Sequence, residues 1–270
     1  MIHAHCIGVT YSGGITALHP TSIGFLPRQF TVLLGPSGAG KSTLLRCLNH
    51  LCKPNHGHVH VDGLGQLNSG ALLRRHRINT AMIFQQHQLI VRQTALQNVL
   101  VGRIGHHSWL RSLFPLPKTE VLTALECLDR VGLLHKAMER VDNLSGGEQQ
   151  RIGVARALAQ KPGIILADEP VASLDPATAH RVLILLHEIS RREGISVVVS
   201  LHQVDMARKF ADRIVGLAGG RVVFDGSPAE LTEDVVNKIY IGGIPRNIPI
   251  YAQYKATGED PLSDLATIES

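Results

Sequence analysis

A chain of 270 residues with 44% hydrophobic content buries about 70–75% of the surface it exposes when unfolded, enough for one large domain or a domain with a lobe grown out of it. Four scattered cysteines without a CxxC pair (Cys6, Cys47, Cys52, Cys127) argue against a disulfide frame or a zinc site. The start MIHAHCIGV lacks the features of a signal peptide, and no apolar run approaches the ~18 residues that cross a bilayer, so a soluble, cytoplasmic chain is expected. A net charge of +5 and a pI near 9.2 permit attraction to phosphates, nucleic acid or an anionic membrane. With no block of basic residues, the charge selects none of them.

In chain order, CIGVTY and the segment around VHVDG read as a small antiparallel β-layer. FTVLLG (30–35) is a strand ending in glycine, and STLLRCLNHL reads as a helix stopped before Pro54. RRHR (74–77) reads as a solvated turn or helix end, and AMIF (81–84) as a strand. From about 90 to 143 strands give way to helical patterning, with Val121, Ala124, Leu125 and Leu128 on one stripe before Gly132. Inside it, GRIGHHSWLRSLFPLP (102–117) reads as an exposed, aromatic-bearing loop. Ser145 is placed to cap a helix that carries Ile152, Ala155 and Leu158 inward. GIILAD (163–168) and SVVVS (196–200) are short buried strands. Between them Asp175 caps a helix with Pro176 in its first turn, apolar at Val182, Leu185, Leu186 and Ile189 and ended by Gly194. After about 225 the periodicity fades, and a loosely packed extension is expected. The alternation of strands and helices makes this an α/β fold with a mainly parallel sheet.

GPSGAGKST (35–43) follows a strand and opens a helix, the context that gives a Walker A match its meaning. Gly35, Gly38 and Gly40 let backbone N–H groups converge on phosphate oxygens, with Pro36, Ser37 and Ala39 between them and Thr43 closing the motif. The helix N-terminus adds partial positive charge. Lys41 supplies a full charge to the β- and γ-phosphates, and Ser42 a hydroxyl to Mg²⁺. IILADEP (164–170) sets two carboxylates just past a strand. Asp168 suits an outer-shell hold on Mg²⁺, and Glu169, on the other side of an extended chain, suits the attacking water. LSGGEQQR (144–151) is a second helix opening fit for an anion, which raises the question of why one chain carries two. His56, His58 and His60 alternate along GHVHVDG. The latter two share a strand face that could hold a metal; with no fourth ligand of matching spacing, we read Val59 and Val61 as facing the core and the histidines as facing water.

Walker A, LSGGE, LADEP, SLD (173–175) and SLH (200–202), in that order, resemble the ATP-binding-cassette (ABC) ATPases over about residues 5–228. The resemblance implies a RecA-like P-loop NTPase core with an antiparallel β subdomain and an inserted helical subdomain at about 90–160, together spanning 1–228, with 229–270 as a C-terminal extension. It also answers the question of two cradles. In this family two copies pack head to tail, so Ser145, Gly146 and Gly147 would serve the partner's γ-phosphate. Position by position, Tyr11 matches the aromatic that stacks on adenine, core packing being its other reading. Gln85 matches the glutamine touching Mg²⁺ and water, though Gln86 stands beside it; Asp175 matches the residue communicating across the dimer, and His202 the γ-phosphate contact that positions Glu169. The pair Pro27-Arg28 departs from the Pro-Gly or Gly-Glu turn of many relatives.

The resemblance thus implies an enzyme using ATP and Mg²⁺, a homodimer on the cytoplasmic face of the inner membrane, and separate integral permease subunits. The loop around Trp109, Leu110, Leu113 and Phe114, with Gln85, is the expected contact region. ILADEPVASLDP, VVSLHQVDMARKFADRI, GRVVFDGSP and GHHSWLRSLFP further resemble the ATP-binding subunit of bacterial phosphonate importers. That implies uptake of phosphonates, phosphate esters or phosphite through a permease and a periplasmic binding protein. A phosphate or polar amino acid importer, or a soluble cassette assisting a carbon–phosphorus lyase-type complex, stays open as an alternative. No nucleic-acid partner is expected, since neither a second cassette nor a long basic linker is present.

Overall fold

The computed structural model describes residues 1–85, 88–107, 116–172 and 174–241. The chain opens with two long strands, β1 (Ile2–Thr10) and β2 (Thr16–Phe25), followed by β3 (Phe30–Leu34), α1 (Lys41–Leu48), β4 (His56–Val61) and the short β5 (Gly65–Gln66). β2, β1, β4 and β5 form the expected antiparallel layer in that order. Helix α2 (Gly70–Asn79) then leads into β6 (Thr80–Ile83). The expectation of a solvated RRHR segment fails at one residue. His76 is buried on α2, with Nε2 2.8 Å from the Leu48 carbonyl, and burial pushes its pKa down. Arg77 meanwhile donates to the His50 carbonyl.

The helical region comprises α3 (Ala95–Val101), α4 (Lys118–Arg130) and α5 (Gly146–Ala159), packed on one another. Ala124, Cys127 and Leu128 face inward from α4, and Ile152, Ala155 and Leu158 from α5. The loop expected at 102–117 is described only at its ends. There Arg103 is buried, pairs with Glu120 and donates to the Ala159 carbonyl at 2.7 Å. Trp109, Leu110, Leu113 and Phe114 lie outside the described residues.

The chain continues through β7 (Ile164–Ala167), α6 (Pro176–Glu193), β8 (Ser196–Leu201), α7 (Val204–Phe210), β9 (Arg213–Ala218) and β10 (Arg221–Gly226). Asp175 caps α6 through the amides of Ala177 and Thr178, and Gly194 ends it in the left-handed conformation. The second sheet runs β10-β9-β3-β8-β7-β6, all parallel except β10. Its strands are apolar on both faces because both faces are covered. Phe30, Val32, Leu34, Ile165, Ala167, Val197 and Val199 join the core under the helices. Leu33, Leu166, Val198, Val215 and Leu217 join a second core, shared with α1 and the antiparallel layer. Period-2 alternation along each strand thus divides the interior in two.

The extension expected from 229 does not begin loosely. Helix α8 (Glu233–Tyr240) packs on β9 and β10. Ile239 is fully buried there, its side chain standing where a Cβ on Gly216 would fall, and Arg208 ties α7 to Glu233 and the Leu231 carbonyl. One apolar side of a short helix suffices to fix it, a pattern too brief to separate from the polar residues around it. Residues 242–270 lie outside the described residues. Ile239→Ala is expected to lower unfolding stability by about 2–5 kcal/mol, read by chemical denaturation. A change below ~0.5 kcal/mol would mark α8 as a peripheral appendage.

Candidate functional site

The rim at the carboxyl ends of β3, β8 and β7 holds most of the residues singled out from sequence. Beyond Leu34 the chain must pass close to β9: a Cβ on Gly35 would sit 2.2 Å from the Leu217 carbonyl oxygen. Gly40, at φ 99, is the N-cap of α1, where a Cβ would meet the Ala17 carbonyl at 2.6 Å. No other residue type fits either position. The loop between them is one wall of a cleft of roughly 320 Å³. Tyr11, Ile15, Thr16 and Ala17 form the facing wall, with Glu169 at one end. Tyr11 is exposed rather than packed in the core, and its hydroxyl lies 3.3 Å from Thr43 Oγ1. The core-packing reading of Tyr11 is therefore set aside.

Lys41 is only 3% exposed, yet its ammonium is fully engaged. Nζ donates to the carbonyls of Gly35 at 2.7 Å and Pro36 at 3.0 Å, and lies 4.0 Å from Glu169 Oε1. Burial pushes its pKa down, while the Glu169 and Asp168 carboxylates pull against that. Ser42 donates to Asp168 Oδ1 at 2.7 Å, so the hydroxyl and the carboxylate assigned to Mg²⁺ already share one point. Such hard oxygen donors suit Mg²⁺, and the glycine-lined cleft beside a buried lysine suits a triphosphate.

Glu169 departs from the expected extended chain: its φ is 46, in the left-handed region. Its amide is captured by Ser200 Oγ at 2.8 Å, and the turn aims its carboxylate at His202, with Oε1 2.5 Å from Nε2. Nδ1 of that ring lies 3.1 Å from the Gly35 carbonyl and 3.4 Å from Lys41 Nζ. Whichever of these Nδ1 engages, the contact with a carboxylate places a hydrogen on Nε2. From behind, the Tyr240 hydroxyl of α8 donates to the His202 carbonyl.

Ser145, Gly146 and Gly147 are not part of this cleft. With Asp175 and Thr178 they line a separate one of roughly 380 Å³. Ser145 caps α5 in a reciprocal box with Glu148. Lys136 and the Ser145 backbone amide and hydroxyl hold the Glu148 carboxyl down to about 2. Ser173 lies outside the described residues. Gln85 is exposed just after β6 and lines neither cleft.

Sequence reading missed several contributors. Ser200 lies within SVVVS and SLH, and its signal is a hydroxyl in an otherwise apolar buried strand. Arg46, 3.8 Å from Asp168 Oδ2, and Tyr240 carry no local mark. The alternation along GHVHVDG holds in the strand, and the sheet adds partners to it. Val59 and Val61 are buried as expected, and His58 and His60 pair across the sheet with His5 and His3, the His5 and His58 rings stacking at 5.2 Å. Among the described residues no group of three or more His, Cys, Asp or Glu is arranged to hold a metal ion.

A phosphate cradle, a carboxylate pair and a histidine on one rim of a parallel sheet, flanked by an antiparallel layer and a helical region, define a P-loop ATPase cassette. Residues 18–172 match the ABC transporter family, and the chain belongs to that family as an ATP-binding, ATP-hydrolysing cassette. It is 60% identical over 240 residues to the phosphonates import ATP-binding protein PhnC 3 of Nostoc sp., covering 89% of this chain and 92% of that one. It is 62% identical over 236 residues to the phosphite import ATP-binding protein PxtA of Stutzerimonas stutzeri, covering 87% and 86%. Among solved structures, a dimeric ATP-binding cassette in a post-hydrolysis state with ADP and Pi aligns with a TM-score of 0.75 at 34% identity, covering 84% of this chain and 99% of that one. A cassette from Clostridium perfringens, part of the ABC transporter complex cbiONQ, aligns with a TM-score of 0.75 at 27% identity, covering 88% and 92%.

Because the folded-state pKa of Glu148 is depressed, the stability it contributes is present above its ordinary value near 4.5 and is lost as pH falls toward 2. Glu148→Gln is therefore expected to lower the thermal midpoint at pH 6, with the gap from the parent narrowing as pH drops through 4. A gap that stayed constant over that range would remove the charge from the account.

Proposed function

We propose that the chain is the motor subunit of a bacterial phosphonate or phosphite importer, working as a head-to-tail homodimer beneath integral permease subunits on the cytoplasmic face of the inner membrane and fed by a periplasmic binding protein. The observation that carries the assembly is the separation of the two clefts. One chain brings Lys41, Ser42, Asp168, Glu169 and His202 to one rim, but leaves Ser145, Gly146 and Gly147 lining another cleft. A second copy related by a twofold axis supplies the missing wall to each nucleotide. The cargo is supported by the high identity to phosphonate and phosphite import subunits across most of the chain.

Within each site the 35–43 loop and the α1 N-terminus wrap the phosphates. Lys41 leaves its carbonyl partners for the phosphate oxygens, and Tyr11 offers a face to the base. Ser42 and Asp168, with Gln85 brought inward by closure, would hold Mg²⁺, which when bound neutralises phosphate charge. Glu169 accepts the proton of the attacking water, oriented by Nε2–H of His202. Asp175, spent as the cap of α6, holds the turn that faces the partner.

For permease docking the described residues offer a groove of roughly 580 Å³ between α2 and the helical region. Leu51, Leu73, Ile78 and Val101 give it an apolar floor, and Arg74 and Arg77 a basic border. Gln88 and Gly105, on its wall, flank the two segments expected to make this contact.

Three substitutions test the reading. Glu169→Gln should keep ATP binding, slow turnover by about 10²–10⁴-fold and accumulate a dimer with ATP on size-exclusion chromatography; turnover at the parent rate would remove Glu169 from its role. Lys41→Ala should instead weaken nucleotide binding itself in a direct titration. Leu51→Glu, at an exposed groove position, should abolish copurification with the permease and phosphonate uptake while the isolated subunit still hydrolyses ATP. Uptake at the parent level in that variant would move the docking surface elsewhere.

A further inference from the structure

Glu169 occupies a left-handed backbone conformation at φ 46, unfavourable for a residue bearing a Cβ. Such a conformation persists only where its surroundings over-determine it. The next strand inward supplies the restraint. Ser200 lies on β8, fully buried between β3 and β7. Its Oγ accepts the Glu169 amide at 2.8 Å and donates to Asp168 Oδ1 at 3.1 Å. One hydroxyl thus holds the backbone of one carboxylate residue and the side chain of the other. Asp168 Oδ1 also accepts from Ser42, which links the same point to the phosphate loop.

We propose that Ser200 is a positioning residue for ATP hydrolysis: its hydroxyl fixes the turn that aims the Glu169 carboxylate at His202 and sets the orientation of Asp168. The inference rests on the reading of Glu169 as the base. Alanine at 200 leaves the Glu169 amide without its partner in a water-poor interior. The turn then relaxes toward the ordinary extended region, and the carboxylate swings away from Nε2 of His202. The Lys41 contacts to Gly35 and Pro36 and the Ser42 bond to Asp168 do not pass through Ser200, so the change falls mainly on chemistry and only slightly on nucleotide binding. The two bonds need a group that donates and accepts at once from a short side chain, which serine and threonine provide.

In the full chain, Ser200→Ala is expected to lower kcat about 10- to 100-fold, the scale for sub-ångström to 1 Å misplacement of a reacting group. The ATP dissociation constant should move less than about threefold. Ser200→Thr, which keeps the hydroxyl, should restore most of the rate, and the nearly isosteric Ser200→Cys, with a weak donor, should fall between. Ser190→Ala serves as the structural control. It removes another buried serine hydroxyl, bonded to the Ile195 carbonyl at the opposite end of β8, and should lower the thermal midpoint without changing kcat. If Ser200→Ala does not fold, the order of Ser, Thr and Cys carries the same test. Parent-level kcat in Ser200→Ala, or an equal kcat loss in Ser190→Ala, would overturn the proposal. Glu169→Gln is assayed alongside. Full turnover there would sink the base assignment itself, whereas a dead Glu169→Gln beside a fully active Ser200→Ala would sink only the role of Ser200.

Discussion

The placement of β8 between β3 and β7 is the constraint on which the site depends. Adjacent parallel strands end on the same side of a sheet, where ligands bind. Three segments far apart in sequence, Gly35 to Ser42, Asp168-Glu169 and His202, therefore meet within hydrogen-bond distance. β8 is the hinge of that meeting. Near its end Ser200 reaches the Glu169 amide and the Asp168 carboxylate, and His202, just past it, reaches both the Glu169 carboxylate and the phosphate loop. A register slip of one residue would reverse every side chain of the strand. The serine would then face away from Asp168, and Val198 would leave the core it now shares with Leu33 and Leu166.

The apolar strands that fix this order also set the electrostatics at their ends. Lys41 and Asp168 are almost fully buried at the rim, a placement that costs free energy unless each charge is paired and hydrogen-bonded. Both charges find partners within the chain. The ammonium takes the Gly35 and Pro36 carbonyls, and Asp168 takes the hydroxyls of Ser42 and Ser200. Under the proposed function, phosphate and Mg²⁺ would take up these same groups, exchanging one set of polar contacts for another.

Much of this was legible in the sequence, and the boundary of legibility follows the range of the interactions. The phosphate loop, the Ser145 and Asp175 caps and the helical stripes of α4 and α6 are local patterns, and each stands where spacing put it. Glu169 was expected on an extended chain because nothing within a few residues demands otherwise; the demand comes from Ser200, 31 positions away. His76 was read as solvated because RRHR looks polar in isolation, and it is buried because α1 presents the Leu48 carbonyl to it. Helix α8 offered too few turns for a periodic signal. In each case a tertiary contact supplied what local chemistry could not.

The second cleft, lined by Ser145, Gly146 and Gly147, is shaped by the bonds that cap its helices. An N-terminal helix end attracts anions through its free amides and dipole, but acidic neighbours would cancel that. Two carboxylates line this cleft, Glu148 and Asp175, and each is hydrogen-bonded within its own chain. Glu148 is engaged by Lys136, the Ser145 amide and the Ser145 hydroxyl. Asp175 is engaged by the amides of Ala177 and Thr178. Their charge is thus committed to capping, while Arg151 and Arg181 line the same cleft. Under the proposed assembly, a phosphate presented by a second copy would meet the glycine amides and the helix dipole, with both carboxylates already hydrogen-bonded within the chain. Under that assembly the hydrogen bonds that cap α5 and α6 would have a second effect, engaging the two carboxylates beside the glycine amides so that less of their charge opposes an arriving anion.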